Sequence, residues 1–233
     1  MFKGVIEMAN YGHGEHYEIM RSKMLYTAAQ LFLQKGYAMT SLKEISAEAG
    51  TNTGVLTRTF GSKENILAVL VKYVLEEQFG NAREMVREKT DDEILFYAAE
   101  TVLQLYIVEA NENIRELYCT AYSLTSTTKI IQEMITEKLK EIFKAHLPDL
   151  ETKDFYMREI ASGGIMRGFM TIPCDMWFTM DKKVDAFLES TFKIYDIGRE
   201  KIEEAVEFVK QFDYETIAKN LIDAMIEKIP KTI

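Results

Sequence analysis

Apolar side chains return every three or four positions along almost the whole chain, and few residues interrupt that rhythm. Met20, Met24, Ala28, Leu31 and Phe32 form one stripe, with Ser22, Lys23, Gln30 and Gln34 off it. This is the period of amphipathic α-helices, and no strand-like alternation of useful length competes with it. Only 3 prolines and 12 glycines punctuate 233 residues, too few for a sheet protein that turns every ten. The pattern predicts an all-α chain with an N-terminal three-helix head and a larger helical body. At 47% hydrophobic and 28% charged residues, it can bury a core and stay in water.

Local signals divide the chain. Gly36 stands where the first helix must stop, in a position that commonly needs a left-handed residue. Ser41 and Glu44 form a Ser-x-x-Glu capping box ahead of a short helix that ends at Gly50. Asn52 is a good N-cap for a second short helix reaching about Thr59, and Ser62 caps a third that carries apolar residues through Phe79. Further helices are predicted at about 92–110, 113–124, 127–146, 152–171, 183–197, 200–211 and 214–229. The resulting division is a flexible arm over 1–15, a helix-turn-helix head over 16–65, and a body over 66–233.

Two short helices joined by a tight glycine turn make a helix-turn-helix when the first faces inward and the second has a polar outer face. Leu42, Ile45 and Ala49 supply the inward stripe of the first, and Val55, Leu56 and Phe60 that of the second. The outer face of the second is Thr53, Gly54, Thr57 and Arg58. Small residues at 53 and 54 let backbone approach base edges, while an arginine bonds guanine bidentately or clamps a phosphate. Lys43 and Lys63 stand near helix N-termini, where dipoles also favour phosphate. Ser41, Asn52 and Thr59 complete the candidate DNA-contacting set.

Charge supports the division. The net charge is −9, which by itself argues against nucleic acid. Within 15–65, however, six basic residues (21, 23, 35, 43, 58, 63) outnumber five glutamates (15, 18, 44, 48, 64), and the first fourteen residues cancel. The head is near neutral and the body strongly acidic, so only the head suits a phosphate backbone.

Arg21, Met24-Leu25, Ala28-Ala29, Leu31-Phe32 and Gly36-Tyr37, then Thr40-Ser41-Leu42, Ile45 and Ala49-Gly50, then Asn52, Gly54, Phe60 and Ser62-Lys63-Glu64 fall in one register. Over residues 21–67 this closely resembles the TetR family of repressors. The resemblance implies a homodimer that binds double-stranded palindromic operator DNA through its heads, while the two isolated cysteines and the lack of a signal-peptide pattern fit a reducing cytoplasm. It also implies a small effector, held in the variable helical body, that releases the DNA. Where the family usually places aromatic residues and often a histidine, this chain has Thr57, Arg58 and Thr59, so the family's contact pattern does not transfer to those three. A head that docks a protein partner instead of DNA is the alternative.

The body supplies a candidate effector lining: Phe96, Tyr97, Leu103, Tyr106, Tyr118, Tyr122, Met134, Met166, Phe169, Met170 and Trp177. Apolar walls with a few polar groups suit such a site, and thirteen methionines suit a pliable one. Residues of these types at helical spacing also build ordinary core. The glycines of Ala161-Ser162-Gly163-Gly164-Ile165-Met166-Arg167-Gly168 each cost about 1 kcal/mol in a helix, so they need a reason: room for a ligand, or close helix approach. The family dimerises through two late helices, which by order are 152–171 and 183–197. Phe187, Leu188, Thr191, Phe192 and Tyr195 give the latter a broad apolar face, for a partner or for the chain's own core.

No catalytic or metal-binding pattern accompanies this. The histidines, 13, 16 and 146, have no ligand spacing. Cys119 and Cys174 are neither a disulfide framework nor a Cys-x-x-Cys pair. No phosphate loop or nucleophile elbow is present. No apolar run approaches membrane-spanning length and the N-terminus lacks a signal-peptide pattern. The expectation is a regulator without enzyme activity, cofactor, metal or membrane partner.

Overall fold

A computed structural model describes the backbone of residues 3–232 and the side chains of residues 16–224. Among the described residues there are eleven helices and no strand: α1 (Lys3–Lys35), α2 (Leu42–Glu48), α3 (Thr53–Phe60), α4 (Lys63–Val86), α5 (Glu93–Glu109), α6 (Glu112–Ala121), α7 (Thr125–Phe143), α8 (Thr152–Thr171), α9 (Met180–Ile194), α10 (Arg199–Val209) and α11 (Tyr214–Thr232). No helix among these residues is long and apolar enough to cross a membrane.

The predicted capping signals operate. Ser41 Oγ accepts from Glu44 N at 3.2 Å while Glu44 Oε2 accepts from Ser41 N at 2.9 Å, the reciprocal capping box. Asn52 Oδ1 accepts from Val55 N at 3.0 Å, and Ser62 Oγ from Asn65 N at 3.2 Å. Gly36 and Gly50 have φ of +86° and +72°, so both turns sit where a side chain is strained.

One boundary differs. The helical backbone of α1 begins at Lys3, not after residue 15. Gly4, Gly12 and Gly14 lower helix propensity without forbidding it, and none of the 3 prolines lies there to break the ladder. The side chains of residues 1–15, His13 among them, lie outside the described residues.

In the head, α1 to α3 and the start of α4 enclose Leu25, Ala28, Phe32, Ile45, Ala49, Leu56, Phe60 and Ile66, all buried. Each large member contributes about 1.5–3 kcal/mol by leaving water. α4 then runs 24 residues from head to body. The body is organised on α5, which packs against α4 and every helix from α6 to α11. Accordingly its sequence is apolar nearly all round, from Leu95 to Val108. A cluster of rings packs beside its first turns: Phe143 and Tyr195 stack with centroids 4.2 Å apart, and Tyr97 meets both edge-on.

The apolar face of α9 is consumed by this core. Phe187, Leu188, Thr191, Phe192 and Tyr195 are all fully buried within the chain, leaving Asp185, Glu189 and Lys193 outside. The unsatisfied apolar face lies on α8 and the loop after it, where Met157 is 62%, Ile160 49%, Ile172 54% and Trp177 75% exposed.

Candidate nucleic-acid interface and interior cavity

The capping bonds anchor α2 and α3, and α3 turns a polar face outward. Thr53, Gly54, Thr57 and Arg58 are all exposed along it, with Ser41, Lys43 and Asn52 exposed beside them. Arg58 and Lys43 make no side-chain hydrogen bond or ion pair among the described residues, which leaves both cations free for an anionic surface. Thr53 Oγ1 lies 3.0 Å from Ser46 Oγ, a bond that ties the start of α3 to α2. Thr59 is half-buried and donates to Val55 O at 3.0 Å, so its hydroxyl serves the helix. Glu44, on α2, is held near pKa about 2, first by the Lys35 ammonium and then by the Ser41 hydroxyl and amide.

Lys63 is used differently from its sequence expectation. Its ammonium donates to Tyr37 O at 2.8 Å and Thr40 O at 2.9 Å, and sits 4.2 Å from the Tyr37 ring centroid. Burial pushes its pKa down, and the Glu116 carboxylate opposes that. The charge is committed to the backbone of the turn between α1 and α2.

That turn is also held from the body. Glu116 on α6 accepts from Tyr37 N at 3.0 Å and Ala38 N at 2.9 Å, and Asn113 Nδ2 donates to Leu33 O at 3.0 Å. A Cβ at Gly36 would fall 2.2 Å from Glu116 Oε2. Glycine there serves both the positive φ and this close approach.

In the body, a small interior cavity of about 30 Å³ lies beside α5, with Tyr97, Glu100, Gln104, Tyr122, Glu159, Ser162, Gly163 and Met166 among its lining. Glu100 is 1% and Glu159 3% exposed. Glu100 Oε1 accepts from Gln78 Nε2 at 2.7 Å and Gln104 Nε2 at 2.8 Å. Ser162 Oγ donates to Glu159 Oε2 at 3.1 Å and lies 2.8 Å from the Tyr195 hydroxyl. Neither carboxyl has an ion-pair partner among the described residues. Burial, opposed by the amides, pushes Glu100 up to about 7; burial, with a smaller push from Glu100, takes Glu159 up to about 8. Leaving water uncompensated costs an ionised carboxylate several kcal/mol, so both hold protons far above the usual carboxylate range.

A second, apolar cavity of about 60 Å³ adjoins through Tyr122 and is lined by Leu67, Leu70, Val71 and Val74 of α4 with Leu117 and Tyr118 of α6. Among the expected effector residues, then, the structure brings Tyr97, Tyr118, Tyr122 and Met166 to these cavities. Phe96 lies instead under the Arg83 guanidinium, and Tyr106 stacks on Tyr214. Leu103 and Met170 are core, Phe169 packs on Phe187, and Met134 is a half-buried core residue. Trp177 projects from the loop after α8, away from both cavities. Gln78, Glu100, Gln104 and Glu159 of this cavity are not among the residues expected from the sequence, and Ser162 enters them only as part of the glycine-rich segment. The available signal was a glutamate inside the apolar run 94–108. Among the glycines of α8, a Cβ at Gly163 would lie 2.9 Å from Glu159 Oε1, whereas Gly164 and Gly168 have nothing within 4 Å, so no helix of this chain closely approaches those two.

Residues 25–70 match the family model described as bacterial regulatory proteins of the tetR family. Over 81 residues the chain is 32% identical to the HTH-type transcriptional repressor KstR2 of Rhodococcus jostii (strain RHA1), covering 35% of this chain and 40% of that protein. The match therefore spans under half the length of that relative. Over 173 residues it is 26% identical to the HTH-type transcriptional activator FasR of Mycolicibacterium smegmatis (strain ATCC 700084 / mc(2)155), covering 71% and 75%. Among solved structures, a gamma-butyrolactone receptor described as ArpA-like aligns with a TM-score of 0.42 and 16% identity, over 89% of this chain and 99% of that one.

Proposed function

We propose that this chain, whose residues 25–70 match the tetR family model, is a transcriptional regulator of that family and acts as a homodimeric repressor of a palindromic operator, released by a small, largely apolar effector. The observation that carries the DNA reading is the exposed α3 face of Thr53, Gly54, Thr57 and Arg58, on a helix capped by Asn52 and braced against α2. Arg58 at the end of that face reads guanine or clamps phosphate, and Lys43 meets the backbone beside it. Lys63 acts from behind, holding the turn that carries α2.

The dimer forms on the outward face of α8. Met157, Ile160 and Ile172 leave apolar surface uncovered there, and Gly164 and Gly168 let a second helix approach closely. Two-fold heads then meet half-sites one helical turn or a multiple apart, roughly 34 Å. Effector bound inside the body shifts α4, which lines the apolar cavity, and α6, which grips the head through Glu116. A small pivot spoils the spacing of the heads. A coupling of about 1–3 kcal/mol weakens DNA binding about 5- to 150-fold.

The test is selection from random duplex DNA at fixed, near-physiological salt, because phosphate contacts make affinity steeply salt-dependent. Enrichment of a palindrome is expected. No enrichment by folded, ligand-free protein overturns the DNA reading in favour of a head that docks a protein.

A further inference from the structure

We propose that the interior cavity beside α5 is an effector site for a primary alkylammonium ion, its ammonium set between Glu100 and Glu159 and its alkyl chain passed beyond Tyr122 into the apolar cavity against α4. This rests on the regulator reading above and names the chemistry of its effector.

Three observations converge. First, two carboxyls that are almost wholly buried line one cavity, and no lysine, arginine or histidine pairs with either among the described residues. Glu100 Oε1 takes both neighbouring amides and Glu159 Oε2 takes the Ser162 hydroxyl, so among the described residues Glu100 Oε2 and Glu159 Oε1 receive no donor. An ammonium carries three donors and the charge that both acids lack. Second, four of the other lining residues, Phe79, Tyr97, Tyr122 and Phe187, are aromatic, a side-chain type whose rings attract a desolvated cation. An anionic ligand opposes ionisation of either acid, and a neutral hydroxyl brings one donor where an ammonium brings three and a balancing charge. Third, the sizes fit a head and a tail. A volume of about 30 Å³ admits an ammonium group and little more, while the neighbouring 60 Å³ is walled by aliphatic side chains. Gly163 keeps the head group's space open, since a Cβ would crowd Glu159. No group of three or more metal-ligating side chains exists among the described residues, so the pair does not extend to a metal set.

The pH signature follows from the groups around the pair. α5 presents Tyr97 and Glu100, α6 and its C-cap present Tyr118 and Tyr122, α8 presents Glu159, and α9 contributes its C-cap Tyr195. α4 adds the neutral Gln78 and Phe79, and α7 adds Ile135. Arg158, a cation acting on Tyr195, is paired with Asp196 at 2.7 Å. The tyrosines stay neutral, so the protons displaced by the cation come from the two glutamates.

The experiment is titration calorimetry of the full chain with n-hexylamine, 1-hexanol and hexanoate, in buffers of different ionisation enthalpy. Hexylamine is expected to bind with proton release, at least tenfold tighter than hexanol or hexanoate, with affinity rising at least tenfold from pH 6 to 9. Glu100→Gln and Glu159→Gln, checked for folding by thermal melts, each weaken it at least tenfold, as does Gly163→Ala. Hexanol or hexanoate binding as tightly as hexylamine, hexylamine affinity unmoved by both glutamine variants, or no hexylamine binding at any pH each overturns the assignment. The regulator reading fails separately, in the random-DNA selection. Glutamate-dependent amine binding without any effect on selected DNA overturns the effector role.

Discussion

At the scale of single residues, charge placement separates recognition from support. Arg58 is exposed and unengaged, so Arg58→Ala is expected to lower affinity for a selected operator by about 1–3 kcal/mol and relax preference at one base pair. Lys43→Ala, at the proposed phosphate contact, is expected to weaken binding about equally across sequences and to reduce the salt slope by about one. Competition binding against single-base operator variants distinguishes the two. Lys63→Met acts on folding: it strands the Tyr37 and Thr40 carbonyls and is expected to cost about 1–3 kcal/mol, seen as a lower denaturant midpoint. In the sequence, Lys43, Arg58 and Lys63 fall in one class because each is a cation near a helix end. Only the tertiary structure, which lays the α1–α2 turn over the start of α4, brings two carbonyls within reach of Lys63 and sets it apart.

At the scale of elements, caps and stops were legible because they act over three or four residues. Ser41 with Glu44, Asn52, Ser62 and Gly36 each do what local chemistry predicts. The grip of α6 on the head was not legible, since Glu116 stands 79 residues from the Tyr37 amide it receives. Glu116→Ala is expected to speed amide exchange at Tyr37 and Ala38 and to blunt any effector response, measured by hydrogen exchange and by operator titration. Unchanged exchange at those two amides would contradict the clamp. In α8 the glycines face two ways: Gly163 inward to the cavity, Gly164 and Gly168 toward open space. The three glycines look alike in sequence because helical phase alone does not say which side meets a neighbour.

At the scale of the whole molecule, stability and assembly carry the predictions. The folded protein holds protons on Glu100 and Glu159 up to about 7 and about 8, against an ordinary value of 4.5. The native state thus binds more protons than the unfolded chain between those limits, and stability falls as pH rises from about 4.5 to 8. Glu159→Gln removes part of that slope, recovering on the order of a few kcal/mol at about pH 9; urea melts at several pH values read it. Ile160→Glu together with Gly164→Arg is expected to give a monomer in sedimentation and to abolish palindrome binding, while the head still folds.

The helices, their caps and the polar face of α3 could be read directly from residue order, because helical periodicity and capping are short-range physics. Which apolar face would be left uncovered could not. The face of α9 looks as suited to a partner as that of α8, and only the packing of the body helices around α5 buries the first and exposes the second. The same holds for the acids of the cavity. A glutamate on an amphipathic helix reads as solvated until its neighbours are known, and desolvation by the surrounding helices is a property of the assembled core.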